Sequence, residues 1–196
     1  MENAINDRLG DYIWGHDDDT PALCVGRELA QRKMTLSIAD CCTGGFLSDN
    51  ITHLPESESF LKGSIIAPTP LLLDKLKLTK AGAGQGPYIN PDFAQKASET
   101  IRETLDTDFG LAIIGVLGPD ELENTAVGQV YISISGHNQQ QNISLKLPPR
   151  RLQIKRRASN TALTELLKLI KQNLSINLNS KQFDKNLYKE PYILKP

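Results

Sequence analysis

The stretch from Met34 to Leu47 constrains this chain more than any other. Met34, Leu36 and Ile38 alternate with Thr35 and Ser37, the two-residue period of a β-strand. The run passes without a spacer into Asp40-Cys41-Cys42-Thr43-Gly44-Gly45 and then into apolar Phe46-Leu47. A strand that feeds a glycine turn and then a helix start is the repeating unit of α/β folds, because sheet and helix each need an apolar partner layer.

The flanking sequence supplies the other parts. Thr20-Pro21 provides an N-cap and a proline at the first helical position. Ala22, Val25, Leu29 and Ala30 follow at helical spacing, and Arg32-Lys33 suits the C-terminal end of the helix dipole. Ser64-Ile65-Ile66-Ala67, closed by Pro68 and Pro70, predicts a second strand. The leucine-rich run 71–78 predicts a short helix, and Ala81 to Pro87, with glycines at 82, 84 and 86, a loop. Asn90-Pro91 repeats the cap-plus-proline start and opens a helix to about Leu105, with Phe93, Ala97, Ile101 and Leu105 on one face. Leu111-Ala112-Ile113-Ile114 is a continuous apolar strand, as in the middle of a sheet covered on both faces, and ends in Gly115-Val116-Leu117-Gly118-Pro119. Gln129 to Ser135 and Asn142 to Leu147 predict a hairpin across Gly136-His137-Asn138. From about Leu152, the residues Ala158, Ala162, Leu163, Leu166, Leu167 and Ile170 mark a long amphipathic helix. The expected architecture is a three-layer α/β/α sandwich with a mixed sheet of about five strands. Residues 21–173 carry it, with a linker-like extension at 1–20 and a tail of no firm structure at 174–196.

A chain of 196 residues suits one well-buried domain plus extensions. The net charge of −1 creates no field that would gather nucleic acid or an anionic membrane, so neither is an expected partner. No apolar run reaches the length of a membrane span, and Met1-Glu2-Asn3-Ala4 does not open like a signal peptide. Cys24, Cys41 and Cys42 are an odd set with two adjacent members, which is no disulfide framework and points to a reducing cytoplasm. His16, His53 and His137 lack metal-site spacing with one another or with the cysteines, so no zinc site is expected. Gly82-x-Gly84-x-Gly86 is not a phosphate loop, since no strand leads into it and no Lys-Ser or Lys-Thr follows.

Four segments, in order, resemble the C-terminal domain of CinA proteins, the nicotinamide-nucleotide amidase family. Leu36 to Gly45 resembles the signature T-L-A-x-A-E-S-C-T-G-G, and Asn90-Pro91-Asp92-Phe93-Ala94 is similar to V-S-x-E-V-A. Gly115 to Pro119 with Val127-Gly128-Gln129-Val130-Tyr131 resembles G-I-A-G-P and P-V-G-x-V-Y. Arg151-Leu152-Gln153-Ile154-Lys155 ahead of Ala162-Leu163 resembles R-x-x-I-R followed by A-L. Tyr12 to Thr20 is similar to the segment that joins the two halves of full-length members, which implies descent from a two-domain ancestor. The resemblance implies homo-oligomerisation and an amidase that releases ammonia from the carboxamide of nicotinamide mononucleotide, without metal or cofactor.

The resemblance also implies a site. Cys41 stands at the family's nucleophilic serine, making Cys41, with Thr43, the candidate catalytic pair. Asp40, Cys42, Gly44, Gly45, Gly115, Gly118, Pro119, Gly128, Arg151 and Lys155 are the candidate ligand-binding residues. A thiolate is a strong nucleophile, and backbone N–H groups at a turn before a helix would favour it and hold an oxyanion. The alternative is that Cys41 and Cys42 are small buried residues at a tight turn, and a one-residue twist there would exchange which of them faces the cleft. Asp40 is one bond shorter than the family's glutamate.

The family's assisting tyrosine and lysine align with Ala67 or Pro68 and with Leu72 or a neighbour, none of which moves a proton. Ile114 replaces a threonine, Asp120-Glu121-Leu122 a glycine pair, and Asn124-Thr125-Ala126 an E-K-P. The survivors shape backbone, whereas the losses fall on reactive side chains. The cluster Arg150-Arg151 with Lys155-Arg156-Arg157 is either a solvated helix face or a phosphate contact, since cations at a helix N-terminus oppose its dipole. Two functions compete: a catalytically impaired relative that keeps a nucleotide-type pocket or serves as an interaction subunit, and an active amidase using Cys41. Loss of general acid–base help costs ~10²–10⁴-fold in rate, which favours the first.

Overall fold

The structure is a computed structural model that describes residues 19–69, 72, 75 and 87–178. The expectations for the extension before Asp19, the leucine-rich run 71–78 (apart from Leu72 and Lys75, both helical), the loop at Gly82–Gly86 and the tail after Leu178 lie outside the described residues.

Helix α1 (Pro21–Arg32) starts as its cap predicts, the Leu23 amide donating to Thr20 Oγ1 at 3.1 Å, and stops at Lys33 in left-handed conformation. Strand β1 (Leu36–Asp40) leads through the glycine turn into α2 (Phe46–Thr52), then a single turn α3 (Ser57–Phe60), then β2 (Leu61–Ile66). Helix α4 (Pro91–Thr104) is capped by Asn90, whose Oδ1 accepts from the Phe93 amide at 2.8 Å. Strand β3 (Phe109–Gly115), the hairpin β4 (Gln129–Ser135) and β5 (Gln140–Lys146), and helix α5 (Arg151–Leu178) complete the order. Strands β3 and β5 each begin two residues before their expected starts, and two further elements differ more. Strand β2 begins at Leu61 rather than Ser64, directly from the turn α3 that the sequence did not announce. Helix α5 runs past Asn173, since neither glycine nor proline interrupts residues 174–178.

The sheet is five-stranded and mixed, in the order β2-β1-β3-β4-β5. Strand β1 pairs in parallel with both β2 and β3, while β3–β4 and β4–β5 are antiparallel. The chain leaves β1 toward β2, then returns past it to β3. Crossovers that run in opposite directions keep the same hand only on opposite faces of the sheet. Accordingly, α2 and α3 join α1 and α5 on one face, and α4 lies alone on the other. Side-chain alternation sorts the core to match. Leu36, Ile38, Leu111, Ile113, Val130, Ile132 and Ile134 meet Val25, Leu29, Leu47, Ile51, Ile154, Leu163, Leu166 and Ile170 on the first face. Ala39, Cys41, Ala112 and Ile114 meet Phe93, Ala94, Ala97 and Ile101 on the second. The inner strands β1 and β3 are buried on both faces, whereas edge strand β5 alternates exposed and half-buried residues.

The second face is built for close approach. Ala94, Ala97 and Ser98 of α4 meet small sheet residues, and Ser98 Oγ lies 2.9 Å from Ser133 Oγ in a buried hydroxyl pair. A Cβ at Gly110 would fall 2.1 Å from Ser98 O and 2.7 Å from Arg102 Cβ, so α4 must withdraw to admit one. Gly110→Ala is therefore expected to lower stability by about 2–3 kcal/mol, the cost of overpacking a tight core. Urea denaturation at constant m-value would register it; an unchanged midpoint would mean that α4 shifts freely.

Candidate functional site

Chains that leave a parallel strand in one direction and return on its other side open a crevice at that strand's carboxyl end. Here the strand is β1, and its last residue is Asp40. The Asp40 side chain is fully buried, and such a charge is tolerated only with its lone pairs occupied. Oδ1 accepts the amides of Cys42 at 3.1 Å and Thr43 at 2.7 Å, and Oδ2 accepts the amide of Gly45 at 2.9 Å and the Thr43 hydroxyl. The turn wraps the carboxylate because Gly44 and Gly45 both take positive φ, 67° and 92°, a region unfavourable for a side chain. Thr43 Oγ1 also receives the Leu47 amide at 3.3 Å, tying the turn to α2.

The two cysteines leave this turn on opposite faces. The Cys41 amide continues the sheet by donating to Ile113 O at 2.9 Å. Its side chain is 4% exposed and belongs to the α4-side cluster with Ala67, Tyr88, Ile89 and Phe93. Burial, with a smaller contribution from the Asp40 charge, pushes its thiol well above the ordinary value. Cys42 is partly exposed and packs against the α5-side core. Its thiol is raised by burial first, then by Asp40 and Cys41, while Lys155 acts in the opposite direction. Of the five N–H groups from Cys41 to Gly45, expected to favour a thiolate or hold an oxyanion, four serve Ile113 O or Asp40.

The α5 candidates reach the same crevice. Lys155 Nζ would lie 3.4 Å from a Cβ placed on Gly44, so the ammonium stands against the turn. One turn earlier, Arg151 donates from its guanidinium to Gly118 O at 2.6 Å, clamping the loop after β3, with its cis Gly118–Pro119 bond, to the start of α5. Arg150, Arg156 and Arg157 are exposed. Lys155 thus meets the Asp40–Gly45 turn, and Arg151, one turn earlier on α5, meets Gly118 beside Pro119. Gly115 and Gly128 have backbone duties beside it, at the β3–β4 turn: an added Cβ would meet Gln129 O at 2.6 Å and Leu147 O at 1.9 Å respectively. Among the described residues no group of three or more potential metal ligands occurs, and no helix is long and apolar enough to cross a membrane.

Sequence reasoning missed three residues here. Ile66, at the end of β2, is 47% exposed, and its Cδ1 would lie 2.9 Å from a Cβ on Gly45. Tyr88 joins the Cys41 cluster, and Glu123 accepts two backbone bonds from Tyr88 and Ile89. The Ser64–Ala67 strand pattern could have flagged Ile66, but contacts across 35 residues leave no local trace.

Comparison with known proteins gives the family and the fold. The family model described as CinA C-terminal domain matches residues 18–170. Over 141 residues the chain is 35% identical to a protein of Moorella thermoacetica named as competence-damage inducible, which takes in 71% of this chain and 34% of that one. It is 33% identical over 153 residues to a CinA-like protein of Acaryochloris marina, covering 77% and 36%. The chain thus spans about a third of the length of these curated relatives. Among solved structures, a CinA superfamily protein from Enterobacter cloacae matches with a TM-score of 0.70 at 18% identity, over 81% of this chain and 96% of that one. Another from Escherichia coli gives 0.68 at 21% identity, over 83% and 98%. At such identities these likenesses speak for the fold.

Two measurements test the site's construction. Asp40→Asn keeps the shape but sets an NH2 group against donors, and is expected to cost about 2–4 kcal/mol by urea denaturation; a loss under ~0.5 kcal/mol would show that the turn does not need the charge. The raised thiols give a pH signature. Their folded values exceed the ordinary 9.0, so their contribution to stability is complete below that pH and declines as pH rises above it. Stability should fall more steeply between pH 9 and 11 in the wild type than in Cys42→Ala, and parallel curves would contradict the assignment.

Proposed function

Since the chain belongs to the CinA C-terminal domain family, we propose that it is a ligand-binding relative of the nicotinamide-nucleotide amidases whose hydrolytic chemistry is impaired. The observation that carries this reading is the surroundings of Cys41. Amide hydrolysis requires an activated nucleophile, a proton carrier and donors for the oxyanion. The thiol at the nucleophile position is buried among apolar side chains and held protonated, and the one charge acting on it among the described residues is the carboxylate of Asp40. Ala67, one of the two residues (with Pro68) that align with the family's tyrosine, is fully buried in the same cluster. Of the five turn amides that would hold an oxyanion, three serve Asp40 and a fourth serves Ile113 O.

Binding features survive better. The ammonium of Lys155, in the first turn and a half of α5, opposes that helix's dipole by a few tenths of a kcal/mol. It makes no hydrogen bond or ion pair among the described residues, and a phosphate at Gly44 would supply its partner. A phosphate-bearing nucleotide of the nicotinamide mononucleotide type is therefore the proposed ligand. The cytoplasm and a homo-oligomeric state belong to the same proposal.

The test is to incubate purified protein with nicotinamide mononucleotide and follow ammonia and thermal stability together. No ammonia above background is expected, with a melting temperature raised by roughly 5–10 °C at a hundredfold excess over Kd. Lys155→Met should remove most of that rise. Ammonia release abolished by Cys41→Ala would establish the active amidase instead, and no thermal shift would leave an interaction subunit.

A further inference from the structure

We propose that Glu123 is a clip that keeps the wall over the Cys41 thiol closed. The loop between β3 and β4 contains a two-residue hairpin whose function in the site is not evident from its sequence. Leu122 and Thr125 exchange both backbone bonds, at 3.1 and 2.9 Å, and Glu123 and Asn124 at its tip have φ of 51° and 57°. That is the positive-φ turn that favours Asn-Gly. Asn124 suits it, but glutamate has neither glycine's freedom nor asparagine's tolerance of the left-handed region.

The carboxylate gives a reason for glutamate there. Glu123 Oε2 accepts the Tyr88 amide at 2.6 Å and the Ile89 amide at 2.8 Å. No sheet ladder or helix provides for these two amides, which lie in the irregular segment Pro87–Asn90 ahead of α4. Tyr88 and Ile89 are 8% and 4% exposed and share the cluster of Cys41, Ala67 and Phe93. The Tyr88 ring meets Phe93 edge-on with centroids 5.3 Å apart. One side of the clip is thus an exposed hairpin tip, and the other is a buried apolar wall.

Opening this wall requires breaking two charge-assisted bonds and unseating two side chains, while α1, α5 and the first core face stay in place. That is a local opening, smaller than global unfolding. Access to Cys41 is then set from outside its own turn, by a carboxylate more than 80 residues away in sequence, and the chemical class admitted is a thiol-directed electrophile. The clip stands or falls independently of any nucleotide bound beside Lys155.

Site-resolved alkylation of the native chain with iodoacetamide tests it, with Cys24, buried in the opposite core, as the reporter of global unfolding. Glu123→Ala should speed Cys41 labelling by at least on the order of tenfold, the loss expected from two bonds to a charged acceptor, and leave Cys24 unchanged. Glu123→Gln, whose amide oxygen still accepts, should have a smaller effect but accelerate hydrogen exchange at the Tyr88 and Ile89 amides. An unchanged Cys41 rate, or Cys41 and Cys24 rising together, overturns the clip. Should the alanine variant not fold, unchanged exchange at those two amides in Glu123→Gln overturns it equally.

Discussion

The carboxylate of Asp40 lies where the chain's path across the sheet reverses, and the functional end of the molecule is arranged around it. Its two oxygens gather three amides and a hydroxyl from the five residues that follow. A buried charge would otherwise carry a desolvation cost of several kcal/mol, so the turn has little freedom to open. The turn in turn fixes where α2 begins, which cysteine faces which helix layer, and where Gly44 meets the ammonium of Lys155. The shorter side chain of aspartate, relative to the glutamate of the resemblance, stays inside this ring of donors.

The same saturation has a chemical consequence. A carboxylate that takes up three of the turn's amides leaves few of them free, and burial, with its negative charge second, raises the thiols of Cys41 and Cys42. Three of the turn's five N–H groups are taken up by the scaffold. The arrangement at β1 favours the scaffold. On the α5 side the balance differs, because Lys155 meets the turn from outside and Arg151 holds the neighbouring loop by a carbonyl rather than by an acid. Positive charge therefore stands beside the turn while the Cys41 thiol is enclosed in the α4-side core.

Layer order was legible before any coordinates. Caps at Thr20 and Asn90, each followed by proline, placed two helices to within a residue, since local hydrogen bonding alone decides such starts. The continuous run at Leu111–Ile114 announced a strand covered on both faces, and the spacing from Ala158 to Ile170 announced the covering helix. Strand β2 begins three residues before the expected Ser64, and Gly63 lies inside it. That glycine makes room for Leu105, whose Cδ1 would lie 2.9 Å from a Cβ there.

By itself the sequence determined the cores of most strands and helices and that the turn at Asp40–Gly45 is the distinctive feature. These follow from local periodicity, capping and residue chemistry, which act over a few positions. Only the tertiary structure decided that Asp40 consumes the turn's amides, that Cys41 and Cys42 face opposite layers, that Lys155 meets Gly44, and that Glu123 holds Tyr88 and Ile89. The first two turn on the path of residues 40–45 once β1 is seated in the sheet, and the last two on packing that brings residues 35 and 111 positions apart within hydrogen-bond or van der Waals reach. No local pattern encodes such a distance.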